Sequence, residues 1–193
     1  MDYGSGNLRS AQRAFATTGH EVQVTSNLDI ALKADGLVVP GVGAFAACMT
    51  GINEVGAAEV IRQRSAAGKA TLGICIGMQI LFSEGLEHGT HKGIGMWSGT
   101  VSAIDAPILP HMGWNTVETS GNPHLFKGIE NESFYFVHSY ASKHSVGFAQ
   151  AWTTYGEKFL AAVEDGPLCA TQFHPEKSGR AGLALIANWS AAL

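Results

Sequence analysis

Cysteine is scarce: there are three residues, Cys48, Cys75 and Cys169, and no C-x-x-C pair. An odd, sparse set excludes a disulfide framework and suits a reducing compartment, so the expected location is cytoplasmic. Charge is thin as well. Charged residues make up 15% of the chain and leave a net −4, which excludes nucleic acid and anionic membrane as expected partners. No apolar run is long enough to span a bilayer, and the N-terminus carries no signal-peptide core. Neither G-x-x-x-x-G-K-[ST] nor a complete G-x-G-x-x-G occurs. His88-x-x-His91 lies in a polar stretch with no nearby cysteine and no third ligand, so neither metal nor cofactor is expected.

What is present is a 193-residue chain, 46% hydrophobic and rich in glycine, with no repeat or linker. Its length suits one domain, residues 1–193. The first half alternates short apolar runs with helical periodicity. A helix is expected over Leu8–Thr18 and ends at Gly19; a strand follows over His20–Thr25, then a helix over Asn27–Ala34. A buried strand over Asp35–Val39 runs into Pro40-Gly41-Val42-Gly43, and two helical segments lead to a strand over Ala70–Ile74. Such alternation implies a mostly parallel sheet flanked by helices, with ligands at its carboxyl edge. After Gly93 the chain becomes a series of short β-rich runs, and Ser178 is expected to cap a closing helix, Gly179–Trp189.

The stretch Lys69–Phe82 organises the rest. Gly73-Ile74-Cys75-Ile76-Gly77 is the cysteine counterpart of a nucleophile elbow: a cramped strand-to-helix turn that thrusts the central side chain outward. A helix from Ile76 onward would place the thiol at a helix N-terminus, which favours the thiolate. The plainer alternative is a small buried hydrophobe, and Cys48 and Cys169 read that way. Downstream, Gln172-Phe173-His174-Pro175-Glu176 puts an imidazole two residues from a carboxylate. On an extended chain both face one side, and the carboxylate then fixes the tautomer of a base able to deprotonate a thiol. A surface His-Glu pair is the alternative. In Pro40-Gly41-Val42-Gly43, backbone N–H groups are free to turn toward a carbonyl oxygen, or else form an ordinary turn.

GICIGMQ, PGVGAF and QFHPEKS together resemble the class I, triad-type glutamine amidotransferases. DYGSGNLRS, PHMGWN and YFVHSY further resemble the glutaminase-subunit family of imidazole glycerol phosphate synthases, over nearly the whole chain. The resemblance implies a flavodoxin-like α/β fold with a β-rich C-terminal half and hydrolysis of L-glutamine. Cys75 is then the nucleophile, His174 the general base and acid, and Glu176 the group that orients His174. Backbone at Ile76 and at Val42 or Gly43 would hold the oxyanion. Gly41, Gln79, Glu87, His138 and Ser139 match positions around the substrate; a solvated loop charge is the competing account of Glu87. The resemblance also implies a heterodimer with a (β/α)8 cyclase, which takes the ammonia to form imidazole glycerol phosphate and AICAR in histidine biosynthesis. Asn7, Trp114, Tyr135 and Lys177 would lie at that interface, although each also suits ordinary packing or surface.

Family members begin with an apolar strand ahead of the DYG-x-GN loop, whereas only Met1 precedes Asp2 here. The expectation is a late or truncated start, unpaired neighbouring strands and an aggregation-prone product. Three other functions compete: the glutaminase component of a different synthase, a free-standing cysteine hydrolase of the same fold, and a non-catalytic flavodoxin-like binding module.

Overall fold

Asn7 and Asn27 open the first two helices by accepting backbone N–H bonds, from Ser10 at 3.4 Å and Ile30 at 3.1 Å. In the computed structural model, which describes residues 1–193, these are α1 (Leu8–Ala16) and α2 (Leu28–Lys33). The chain continues through β1 (Leu37–Gly41), α3 (Phe45–Val55), α4 (Ala57–Ala66), β2 (Thr71–Cys75) and α5 (Ile76–Gln79). Then come β3 (Phe82–Gly85), β4 (His91–Lys92), β5 (Trp97–Ala103), β6 (His111–Thr116) and β7 (Glu118–Ser120). After these run β8 (Ser133–His138), β9 (Tyr140–Ser142), β10 (Ala149–Tyr155), β11 (Glu157–Asp165), β12 (Leu168–Thr171) and α6 (Gly179–Ser190).

Six strands form the main sheet in the order β1-β2-β12-β11-β10-β7. Pairing is parallel across β1, β2 and β12, and antiparallel through β11, β10 and β7. Every residue of β2 and β12 is buried, as central parallel strands require. A second sheet, β4-β3-β5-β9, and the β6-β8 hairpin complete the β-rich half. One cluster of 47 buried apolar residues runs through the molecule. The parallel pair β1 and β2 ends at Gly41 and Cys75, side by side in register, so the elbow and the Pro40–Gly43 turn share one edge.

Three expectations from sequence are corrected. His20–Thr25 is extended but is not a strand, because it has no ladder partner. A groove of about 610 Å³ separates it from the free edge of β1, lined in part by Phe15, Val22, Val38 and Trp189. Met1 bridges one end: its ammonium donates to Val38 O at 2.8 Å, and Asp2 N–H donates to Thr25 O at 2.8 Å. Burial lowers that ammonium to about 6, against the raising influence of the Asp2 charge. Second, the helix after Cys75 stops after one turn, and the chain enters β3, where Phe82 packs on Trp97 with ring centroids 5.5 Å apart. Third, Ser178 makes no side-chain cap on α6. Its hydroxyl donates to His174 O at 2.7 Å and accepts from Tyr135 N–H at 2.9 Å instead.

Candidate active site

Cys75 takes φ 57° and ψ −111°, a conformation that costs a non-glycine residue about 1–3 kcal/mol. Its neighbours explain why it persists. A Cβ on Gly73 would lie 2.6 Å from Gly77 O, one on Gly41 would lie 2.6 Å from Gly77 N, and one on Gly77 would run into Val39 O. Gly41 therefore packs against the elbow and does not line the cavity in front of it. Because α5 is four residues long, the sulfur gains little from a helix macrodipole. What remains is local: Ile76, as the first helical residue, has an N–H without an intrahelical acceptor.

His174 approaches from the other side of the same edge. Sequence reasoning expected an extended chain here, but Pro175–Lys177 is a 3-10 turn. The turn still brings His174 Nδ1 to 2.7 Å from Glu176 Oε1, with both side chains 3% exposed. The peptide is clamped too: His174 N–H donates to Tyr135 O at 2.9 Å. With Nδ1 occupied by the carboxylate, Nε2 is the nitrogen left for Cys75. Burial pulls the imidazole pKa down, but the neighbouring Cys75 sulfur and the Glu176 carboxylate outweigh it and raise it to about 9. The carboxylate behind the ring thus favours the protonated form of His174.

Cys75 and His174 open on a cavity of about 300 Å³. Val42, Gly43, Ile76, Gln79, Glu87, His138, Ser139 and Lys177 line it, as do Pro110, Val137 and Tyr140, which sequence reasoning did not single out. Glu176 stands behind His174, outside the lining. The Val42 amide faces away from the cavity. Its N–H donates to Ser5 Oγ at 3.3 Å, and its carbonyl accepts from Ser5 Oγ at 2.7 Å and from Cys48 Sγ at 3.4 Å. Cys48 is fully buried, but it is more than packing. Glu87 accepts the Phe45 N–H at 2.7 Å, so it caps α3, whose own N-cap Ala44 has no side chain for the purpose. Gln79 donates from Nε2 to Tyr140 O at 2.7 Å and to Gln172 Oε1 at 3.0 Å, while its own Oε1 is buried without a partner.

His138 brings its ring as well as its backbone. Nδ1 bonds Tyr140 O at 2.9 Å, and Nε2 lies 3.3 Å from His111 Nδ1. His111 stacks between Phe136 and Tyr155, at 4.9 and 4.2 Å. Burial lowers His111 to about 4 and His138 to about 3. Both are neutral in the fold, and the Tyr140 carbonyl fixes their tautomers.

On the outer face of the β6-β8 hairpin Trp114 sits opposite Tyr135, ring centroids 6.1 Å apart, with Trp114 59% and Met112 63% exposed. Lys177 is exposed at the cavity mouth, and Asn7 is exposed at the start of α1. No group of three or more His, Cys, Asp or Glu side chains is placed to hold a metal ion. No helix is long and apolar enough to cross a membrane.

The sequence matches the family model for glutamine amidotransferase class-I over residues 1–191. The imidazole glycerol phosphate synthase subunit HisH of Mycobacterium tuberculosis is 56% identical over 194 residues, covering 98% of this chain and 94% of that one. HisH of Thermobifida fusca is 53% identical over 204 residues, covering 100% and 97%. Among solved structures, a glutamine amidotransferase superposes with a TM-score of 0.74 at 19% identity over 96% of this chain and 95% of that one, a likeness of fold. The chain belongs to the class-I glutamine amidotransferases, in the branch formed by the HisH subunits of imidazole glycerol phosphate synthase.

Proposed function

We propose that this chain is the glutaminase subunit of an imidazole glycerol phosphate synthase, hydrolysing glutamine with Cys75, His174 and Glu176 and supplying ammonia for histidine biosynthesis. The observation that carries the chemistry is a sulfur on a strained elbow that shares one cavity with an imidazole whose far nitrogen is held by a buried carboxylate. The Cys75 sulfur attacks the side-chain amide carbon of glutamine, and the oxygen becomes an oxyanion beside the Ile76 N–H. His174 Nε2 gives its proton to the nitrogen, the C–N bond breaks, and ammonia leaves a glutamyl thioester. Neutral His174 then takes a proton from water, the hydroxide adds to the thioester, and glutamate departs as the sulfur leaves as thiolate. Protonated His174 with the thiolate is restored.

Gln79 lines the cavity and its Oε1 is buried without a partner, so it becomes an acceptor for the α-ammonium of glutamine once substrate binding exposes it. The free oxygen of Glu87 adds charge for the same group. His138 and Ser139 form the opposite wall, with Gly41 supporting the floor indirectly. The second oxyanion donor, from Val42 or Gly43, requires the peptide to leave Ser5, so hydrolysis is slow until something favours that rearrangement.

That something is the partner. A cyclase subunit with a (β/α)8 barrel would cover the cavity mouth, where Trp114, Tyr135, Lys177 and Asn7 offer aromatic and polar anchors, and receive ammonia before it protonates in water. Glutamate release, measured with and without the cyclase and its nucleotide ligand, tests the reading. Cys75→Ala should abolish it and keep partner binding. A Cys75→Ala protein that still turns over glutamine contradicts the assignment, and wild-type rates indifferent to the cyclase contradict the switched loop.

A further inference from the structure

Two buried amides stand behind Cys75. Gln172, 1% exposed, directs Nε2 at Cys75 Sγ from 3.7 Å, and its Oε1 accepts from Gln79 Nε2 at 3.0 Å. Which end of each amide faces which way is not free. Tyr140 O is a backbone carbonyl and can only accept, so the Gln79 end at 2.7 Å from it must be the NH2. The same carbonyl takes the His138 ring at 2.9 Å. With its NH2 fixed, Gln79 also donates to Gln172, and Gln172 must therefore present its oxygen there and its NH2 to the sulfur. The acceptor near a neutral Cys75 thiol is Val137 O, at the long distance of 4.0 Å. Ionisation loses little on that side and strengthens the bond from Gln172, because a donor to a charged acceptor is worth more than one to a neutral acceptor.

We propose that Gln172 is a catalytic donor that stabilises the Cys75 thiolate through its side-chain N–H, and that Gln79 acts as the positioning residue that locks the Gln172 amide in this orientation. Gln79 thereby braces the nucleophile's partner through its NH2 end, while its Oε1 stays buried without a partner. The inference rests on Cys75 being the glutaminase nucleophile.

The test is the pH dependence of Cys75 alkylation by iodoacetamide, with peptide mass mapping to separate it from Cys48 and Cys169. Gln172→Met should raise the midpoint by about one to two pH units and lower kcat about 10- to 150-fold, with KM little changed. Gln172→Glu, which still accepts from Gln79, should move the midpoint the same way. Gln79→Met should raise it too, although Gln79 does not touch the sulfur. A midpoint unmoved in both Gln172 variants overturns the proposal, whatever happens to kcat. If neither variant folds, the Gln172 side-chain NH2 signal in ¹⁵N-labelled wild-type protein decides. It must shift as Cys75 titrates, and a signal indifferent to that titration overturns the proposal. Failure of the glutaminase reading looks different, because Cys75→Ala would then keep hydrolysing glutamine.

Discussion

Ser5 holds both the N–H and the carbonyl of Val42, and so keeps a backbone donor out of the cavity. Removing that hydroxyl frees the Val42 peptide, at a net cost to the resting loop of about 0.5–1.5 kcal/mol. Ser5→Ala is accordingly expected to raise glutamine hydrolysis without the cyclase by about 2- to 12-fold and to shrink the increase the cyclase brings. A steady-state assay on the variant alone reads this directly, and an unchanged or lower basal rate would remove Ser5 from that role. At this scale sequence reading was uneven. Cys75, His174 and Glu176 could be read because each stands in a short motif whose local geometry carries the chemistry. Ser5 and Gln172 could not, since their bonds cross 37 and 97 positions of chain and no local pattern announces them. Glu87 was singled out as a substrate contact without any sign of the capping bond it makes to Phe45.

Among the elements, the β6-β8 hairpin carries the clearest consequence. It brings two neutral, buried histidines together, His111 and His138, lowered by burial to about 4 and about 3. In the unfolded chain each titrates near 6.5, so the unfolded state binds more protons once pH falls below that value. Stability from this pair is complete above 6.5 and declines as pH drops toward 4, by up to about 1.4 kcal/mol per pH unit for each histidine. Denaturant melts at successive pH values should follow that slope, and His111→Phe, which keeps an aromatic ring between Phe136 and Tyr155, should flatten it. Equal slopes in both proteins would contradict the account. Strand and helix positions were largely legible, because buried parallel strands such as Thr71–Cys75 are continuous apolar runs. The errors share a cause. His20–Thr25 has the alternation of a strand but no neighbour to pair with, and Ile76–Phe82 has a helical composition that the pairing of β3 with β5 overrides after one turn.

For the molecule as a whole, the sheet edge that bears Cys75 and His174 opens beside an apolar outer face where Trp114 and Met112 are more than half exposed. An exposed tryptophan paired with a tyrosine next to a reactive cavity suits an interface that seals the mouth. Trp114→Ala is expected to weaken cyclase binding by about 2 kcal/mol, roughly 30-fold in Kd, and to leave the cyclase-free rate unchanged. Titration calorimetry and the uncoupled assay separate the two effects, and unaltered affinity would place the partner elsewhere.

The proposed chemistry depends on the sulfur of Cys75 being the atom that attacks glutamine. The most direct measurement exposes the protein to a glutamine analogue carrying an electrophile in place of the side-chain amide, then maps the adduct by peptide mass spectrometry. The expected result is a single adduct on Cys75 that forms in step with loss of activity and is prevented by excess glutamine. Loss of activity with Cys75 unlabelled, or continued hydrolysis with Cys75 fully labelled, would contradict it.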